Sequence, residues 1–387
     1  MARSLLTGFF SLIGIAVVIV YLGLARERNV QALITSGDQA LDRQQVSLAI
    51  EAYSGALALN PESMVAYLKR GEIYLETEEL SAAFRDFLSA IELNPDDTRT
   101  HERLGDVTYA LGRHKEAIAH YSNYLEFDDQ SPQVLYKLAL ASERDGRVAY
   151  SLPLLRRAIS LNSDFREAHY LLGLCLTEQG RTGEARDAML TALELSPGFL
   201  KAREALVTIY SDLGFPDEAL SQLDALLLLD QANPERHLAK GLAYLHLGDF
   251  DNALDTLNRG IDAHPNNQRL IVALGETWLS LAESGVNHRG LVQALQFLRS
   301  IPRSDASSAA LTALGRALSL SGDTEGATRA FRIATQRFPL DPTAFLYLAE
   351  QAEDENDNEL ANRHRKTYET LAERNISPQH QTALPSG

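Results

Sequence analysis

"GEIYLETEELSAAFRDFLSAIELNP", residues 71–95, opens on a glycine, closes on Asn-Pro and sets alanines between larger apolar residues. Tyr67, Gly71 and Tyr74 recur at steps of three and four, as do Ala83, Phe87, Ala90 and Ile91. That spacing puts each set on one face of a helix. The polar stretch "LETEEL" between them reads as the turn joining two helices. Where two helices cross closely a large side chain would hold their backbones apart, so Gly71 and Ala83 mark the expected crossing.

The signal repeats along the chain. Steps of 34 residues from Gly71 reach Gly37 behind it and Gly105, Ala139, Gly173, Val207, Gly241 and Gly275 ahead. After a shift in frame Gly315 and Ala349 continue the series, so that nine of ten positions are Gly or Ala. A second small series follows within each unit at Ala49, Ala83, Ala117, Ser151, Ala185, Ala219, Ala253, Ala294, Ala327 and Ala361. Prolines close units at Pro61, Pro95, Pro197, Pro265 and Pro339, where they stop a helix. A period of this length marks an array of helical hairpins, none of which can bury its apolar face without a neighbour.

The pattern resembles the tetratricopeptide repeat family. In the unit that starts at residue 64, Tyr67, Gly71, Tyr74, Ala83, Phe87, Ala90 and Pro95 fall on the family's positions, and Arg70 departs from its leucine. Ten such units begin near residues 30, 64, 98, 132, 166, 200, 234, 268, 308 and 342. The resemblance implies an all-α fold, a right-handed α-solenoid of about ten helix-turn-helix repeats over residues 30–375, with the first helix of every repeat lining an inner groove. The spacing from Gly275 to Gly315 is 40 rather than 34, so "LAESGVNHRG" at 281–290 is expected to form an extended turn in repeat eight. The polar run "ANRHRKTYETLAER" from Ala361 suits a capping helix, and residues 376–387 read as a disordered tail.

Residues 5–24, "LLTGFFSLIGIAVVIVYLGL", carry no charge and are bounded by Arg3 and by Arg26, Glu27 and Arg28. A helix of that length spans about 30 Å, the thickness of a bilayer's hydrocarbon core. The sequence therefore predicts an N-terminal membrane anchor over residues 1–28, one transmembrane helix ahead of the repeats. The array is placed in a membrane through that single pass, slightly favoured on the extracytoplasmic side, with the cytoplasmic side open because Arg3 against Arg26, Arg28 and Arg43 is a small bias. The alternative is a cleaved signal peptide, with Gly23-Leu24-Ala25 as its small-x-small site.

Little in the sequence points to chemistry. The formal charge is 36 − 52 = −16, which repels phosphate backbones and argues against nucleic acid as a partner. The one cysteine, Cys175, forms no framework or CxxC pair and reads as a packing residue. No HExxH, GxxxxGK[ST], GxSxG or GxGxxG occurs. His114 and His120 lie six apart on different faces of a helix, and Asp96, Asp97, His101 and Asp106 read as helix-start charges. Arg363 to Lys366 read as a solvated cap face. With the repeats filling the chain, the expectation is no enzyme, no metal and no cofactor.

The family register, carried onto this chain, puts groove residues at Tyr109, at Tyr136 and Leu140, at Tyr170 and Leu174, and at Leu238, Leu242 and Leu245, with the acids Glu72, Glu102, Asp106, Glu143 and Glu204 beside them. Such a strip would suit an extended or helical peptide with apolar anchors and basic flanks. The competing reading is that these tyrosines and leucines only pack helix against helix. Family members that clamp a C-terminal carboxylate use Asn at position nine, where this chain has Asp38, Glu72, Asp106, Leu140, Leu174 and Thr208. The function expected is a membrane-tethered scaffold or adaptor that mediates protein–protein interaction, extending to assembly of a secretion or cell-envelope complex. The alternative is a soluble exported repeat protein that binds peptide or polysaccharide after signal cleavage.

Overall fold

The structure, a computed structural model, describes residues 2–285 and 289–376, with side chains from residue 20 to 373 in those ranges. The expected tail at 376–387 falls almost wholly outside them, as do residues 286–288 of the expected extended turn. Among the described residues there are twenty α-helices, α1 (Ala2–Asp42) to α20 (Asn358–Ile376), and no strand.

From the first helix to the tenth, and from the thirteenth to the twentieth, each odd-numbered helix packs against the even-numbered helix after it. The first helices α3 (Met64–Glu76), α5 (Thr98–Ala110), α7 (Pro132–Arg144), α9 (Arg166–Glu178), α11 (Leu200–Leu213) and α13 (Pro234–His246) start 34 residues apart. Their starts are fixed locally. Asp97 accepts from the Thr100 N–H, Ser131 from Val134 and Asn233 from Glu235 and Arg236, while Pro132 and Pro234 occupy first-turn positions that need no N–H donor. Inside each hairpin the backbone turns through positive φ, on Gly112, Gly146 and Gly180 but also on Glu78 at 62°.

The small residues do what their spacing implied. A Cβ at Gly71 would lie 2.8 Å from Phe87 Cε1, one at Gly105 2.3 Å from Tyr121 Cε1, and one at Gly315 2.5 Å from Phe331 Cε1. In these repeats the aromatic ring on the second helix rests against bare backbone of the first. Neighbouring hairpins then share core: Ala66 and Ile73 of α3 belong to the cluster built on Tyr53 and Ala56 of α2 (Val46–Leu59), and Leu104 and Val107 of α5 to the one built on Phe87 of α4 (Leu80–Leu93). Stacking of this kind supplies the burial that a lone hairpin lacks.

The chain divides into two compact units, Met1–Ala202 and Arg203–Gly387. Within the first, α3 touches α5 and α7 touches α9; within the second, α13, α15 (Gln268–Glu283), α17 (Ser308–Leu320) and α19 (Thr343–Asp354) touch in sequence. Among the described residues no two second helices approach each other to that extent. Each unit thus runs as a solenoid-like stack with its first helices on the inner side.

The N-terminal expectation is corrected. Among the described residues no helix is long and apolar enough to cross a membrane, so the single-pass anchor and the membrane placement built on it are not seen. The side chains of residues 5–19, most of the apolar run, lie outside the described residues. The physical reason lies in α1, which continues without a break past the expected boundary at 28: its later half turns polar at Arg26, Glu27 and Arg28 and then becomes amphipathic, burying Val30, Ile34 and Ala40 against α2. The segment read as a tether is continuous with the first helix of the first repeat.

Candidate functional site

Position nine of the first helices carries a ladder in the first unit. Lys69 Nζ donates to Asp38 at 2.7 Å, Arg103 Nε to Glu72 at 3.1 Å and Lys137 Nζ to Asp106 at 3.0 Å, each base standing 31 residues after its acid on the next first helix. Two of these acids accept a second bond from the aromatic residue opposite the glycine: Tyr53 Oη to Asp38 at 2.6 Å and Tyr121 Oη to Asp106 at 2.9 Å. Arg99 adds three bonds to Glu72, and Lys137 one to Glu102 at 2.7 Å. Burial pushes Asp38 up, but the bonds from Lys69 and Tyr53 outweigh it and hold its carboxyl below the ordinary value. Burial and the Asp106 carboxylate push the Tyr121 phenol well above its usual range.

The acids Glu72, Glu102 and Asp106, read from sequence as a rim for basic ligand residues, are therefore already met by bases within the array. Glu204, in the second unit, is met by Arg236 at 3.1 Å. The bases were in plain view in the sequence; a search for charge pairs at a spacing of 31 would have found them.

On α7 and α9 position nine is apolar. Tyr136 and Leu140 on α7 and Tyr170 and Leu174 on α9 are each half-buried, and the two helices touch. The tyrosines are braced by phenylalanines from the loops that end their repeats: Tyr136 to Phe165 and Tyr170 to Phe199, each at 5.0 Å between ring centres and tilted. Such tilted pairs fix ring orientation and leave part of each face open. Burial, then the Glu167 carboxylate, raises the Tyr136 phenol, so it stays neutral and able to donate. Tyr109 lies half-buried with its ring 5.3 Å from His114, and it helps hold the Arg144 guanidinium protonated. The two phenylalanines were not singled out from the sequence, although both sit at the last position of a 34-residue unit.

In the second unit Leu238 is only 6% exposed and joins a core with Leu257, Leu270 and Leu274. Leu242 packs on the same cluster while staying half-buried, and Leu245 is half-buried as well. Among the described residues no group of three or more His, Cys, Asp or Glu could hold a metal ion. Cys175 is fully buried and its thiol is pushed up to about 12, first by burial, as befits a packing residue.

The tetratricopeptide repeat model matches residues 34–98, 82–132, 136–198, 204–268 and 312–361, well over half of the chain. The chain belongs to the tetratricopeptide repeat family. No curated protein matches it. Among solved structures it is similar to a tetratricopeptide repeat protein from Parabacteroides merdae, at 15% identity over 65% of this chain and 99% of that one, with a TM-score of 0.49. It is also similar to PilF of Pseudomonas aeruginosa, at 18% identity over 58% of this chain and 99% of that one, with a TM-score of 0.46. YrrB, described as a repeat protein with an unusual peptide-binding site, is 22% identical over 58% of this chain and 98% of its own, with a TM-score of 0.37. None of these likenesses carries a ligand over to this chain.

Proposed function

We propose that this repeat protein is a scaffold whose first unit holds an extended or helical segment of a partner protein against Tyr136, Leu140, Tyr170 and Leu174, with Tyr109 at one end of the strip. The observation that carries the reading is the change at position nine: an ion-pair ladder up to α5, then Leu140 and Leu174 beside tyrosines held by Phe165 and Phe199. Rings fixed in place lose little entropy on binding, which favours them as anchors. With the neighbouring acids already paired, recognition here depends on apolar and aromatic residues of the partner and on the tyrosine hydroxyls. In the second unit the half-buried Leu242 and Leu245 offer the same kind of surface along α13. The family's members are generally scaffolds without enzymatic activity.

The test is selection of binders from a random peptide library on the full chain, followed by affinity measurement on Tyr170→Ala and Leu140→Ser variants whose circular dichroism matches the parent. Selected peptides are expected to be rich in aromatic and aliphatic residues and to lose about tenfold or more in affinity on either variant. Binders that ignore both substitutions and shield the second helices α8 (Val148–Leu161) and α10 (Thr182–Leu195) from exchange would contradict the proposal.

A further inference from the structure

Glu276 is the ninth residue of α15 and so the counterpart of Asp38, Glu72 and Asp106. Those acids draw on two kinds of partner: the hydroxyl of the aromatic residue opposite the glycine, and a base at the sixth position of the next first helix. At Glu276 both are missing. The side chain opposite Gly275 is Leu298, and the sixth residue of α17 is Ala313, only 3% exposed. Among the described residues no hydrogen bond or ion pair reaches the Glu276 carboxylate.

The Arg316 guanidinium does not make up the loss. Arg316 is forked onto Glu283, with Nε at 3.2 Å and Nη2 closer still. Around the carboxylate stand the Arg316 guanidinium, which favours its charged form, and Asp341, which opposes it; burial is the largest influence and raises it. A half-buried acid with neither hydroxyl nor base keeps its acceptor sites open to an incoming donor.

From the vacant rung we infer that Glu276 is a recognition point for a lysine or arginine side chain of a peptide lying on the first helices of the second unit. The inference rests on the peptide-binding reading of the inner face and adds the chemistry of one ligand residue. The incoming ammonium or guanidinium would take the place that Lys69, Arg103 and Lys137 fill in the first unit, with Leu242 and Leu245 on the adjoining α13 supplying apolar contact. The first unit's acids at this position offer no such place, because Asp38, Glu72 and Asp106 are each already paired.

The experiment uses the full chain. Clones selected from a random peptide library are made as synthetic peptides, mapped by amide hydrogen exchange, and titrated on the parent and on Glu276→Gln, an isosteric change checked by circular dichroism. Expected is a class of peptides that contain Lys or Arg, protect α13, α15 and α17, and lose at least about tenfold in affinity both on Glu276→Gln and when their basic residue is replaced by norleucine. Peptides that protect these helices yet bind both proteins equally would overturn the inference and leave the inner-face reading standing. If no selected peptide protects any first helix in either unit, that reading falls and the inference falls with it.

Discussion

A methyl group added at Gly71 would meet the Phe87 ring at 2.8 Å, and the ring has α5 behind it. Gly71→Ala is therefore expected to destabilise the protein by about 1–3 kcal/mol through overpacking, measured as a fall in the urea midpoint. Adding Phe87→Leu should recover part of the loss, since repeat four already pairs Ala139 with a fully buried Leu155 at the same spacing. These small positions were legible in the sequence because they depend on helix spacing alone. Arg70 was legible only as a departure. Its reason is three-dimensional: the guanidinium grips both oxygens of Asp86 at 2.7 Å and reaches Ser54 of the preceding repeat at 2.8 Å. Asp86 is 5% exposed, and nothing in a periodic reading says that a charge will be buried where other repeats carry Ala52 or Leu154. The acids on the inner face escaped for the same reason, since a sequence shows charges but not which of them meet.

Between the two helices of repeat three, the rings of His101 on α5 and His120 on α6 (His114–Phe127) lie 5.9 Å apart. His101 Nε2 bonds the Pro95 carbonyl at 2.9 Å, and the Nδ1 atoms of both rings are buried without a hydrogen-bond partner. Burial first, then His101, depresses the His120 pKa, with Glu116 opposing. A histidine depressed in the folded state adds stability above its ordinary pKa of about 6.5 and loses it as pH falls through the folded value. The urea midpoint should thus drop on acidification from neutrality, and drop less in His120→Leu, which installs the residue that repeat four has as Leu154. Equal pH dependence in the two proteins would show that the pair contributes nothing. At this scale the hairpins themselves were readable, because the 3.6-residue period survives any ligand or partner. The histidine pair was not, as His101 and His120 come together only once α5 and α6 cross.

Across the whole chain the repeat pattern fixed an all-helical array, while the N-terminal run misled: hydropathy counts residues, whereas α1 also has to serve as a repeat helix on α2. What distinguishes one stretch of the array from another is the identity of position nine, charged and paired through Asp106, apolar at Leu140 and Leu174, and a lone carboxylate at Glu276. The most direct test places a photoreactive benzoylphenylalanine at residue 140 or 174, on the inner side, and at the exposed Tyr150 on α8 as a control. After irradiation in the native host, residues 140 and 174 are expected to capture the same protein and residue 150 not to capture it. Capture of that protein through residue 150 alone would contradict the account.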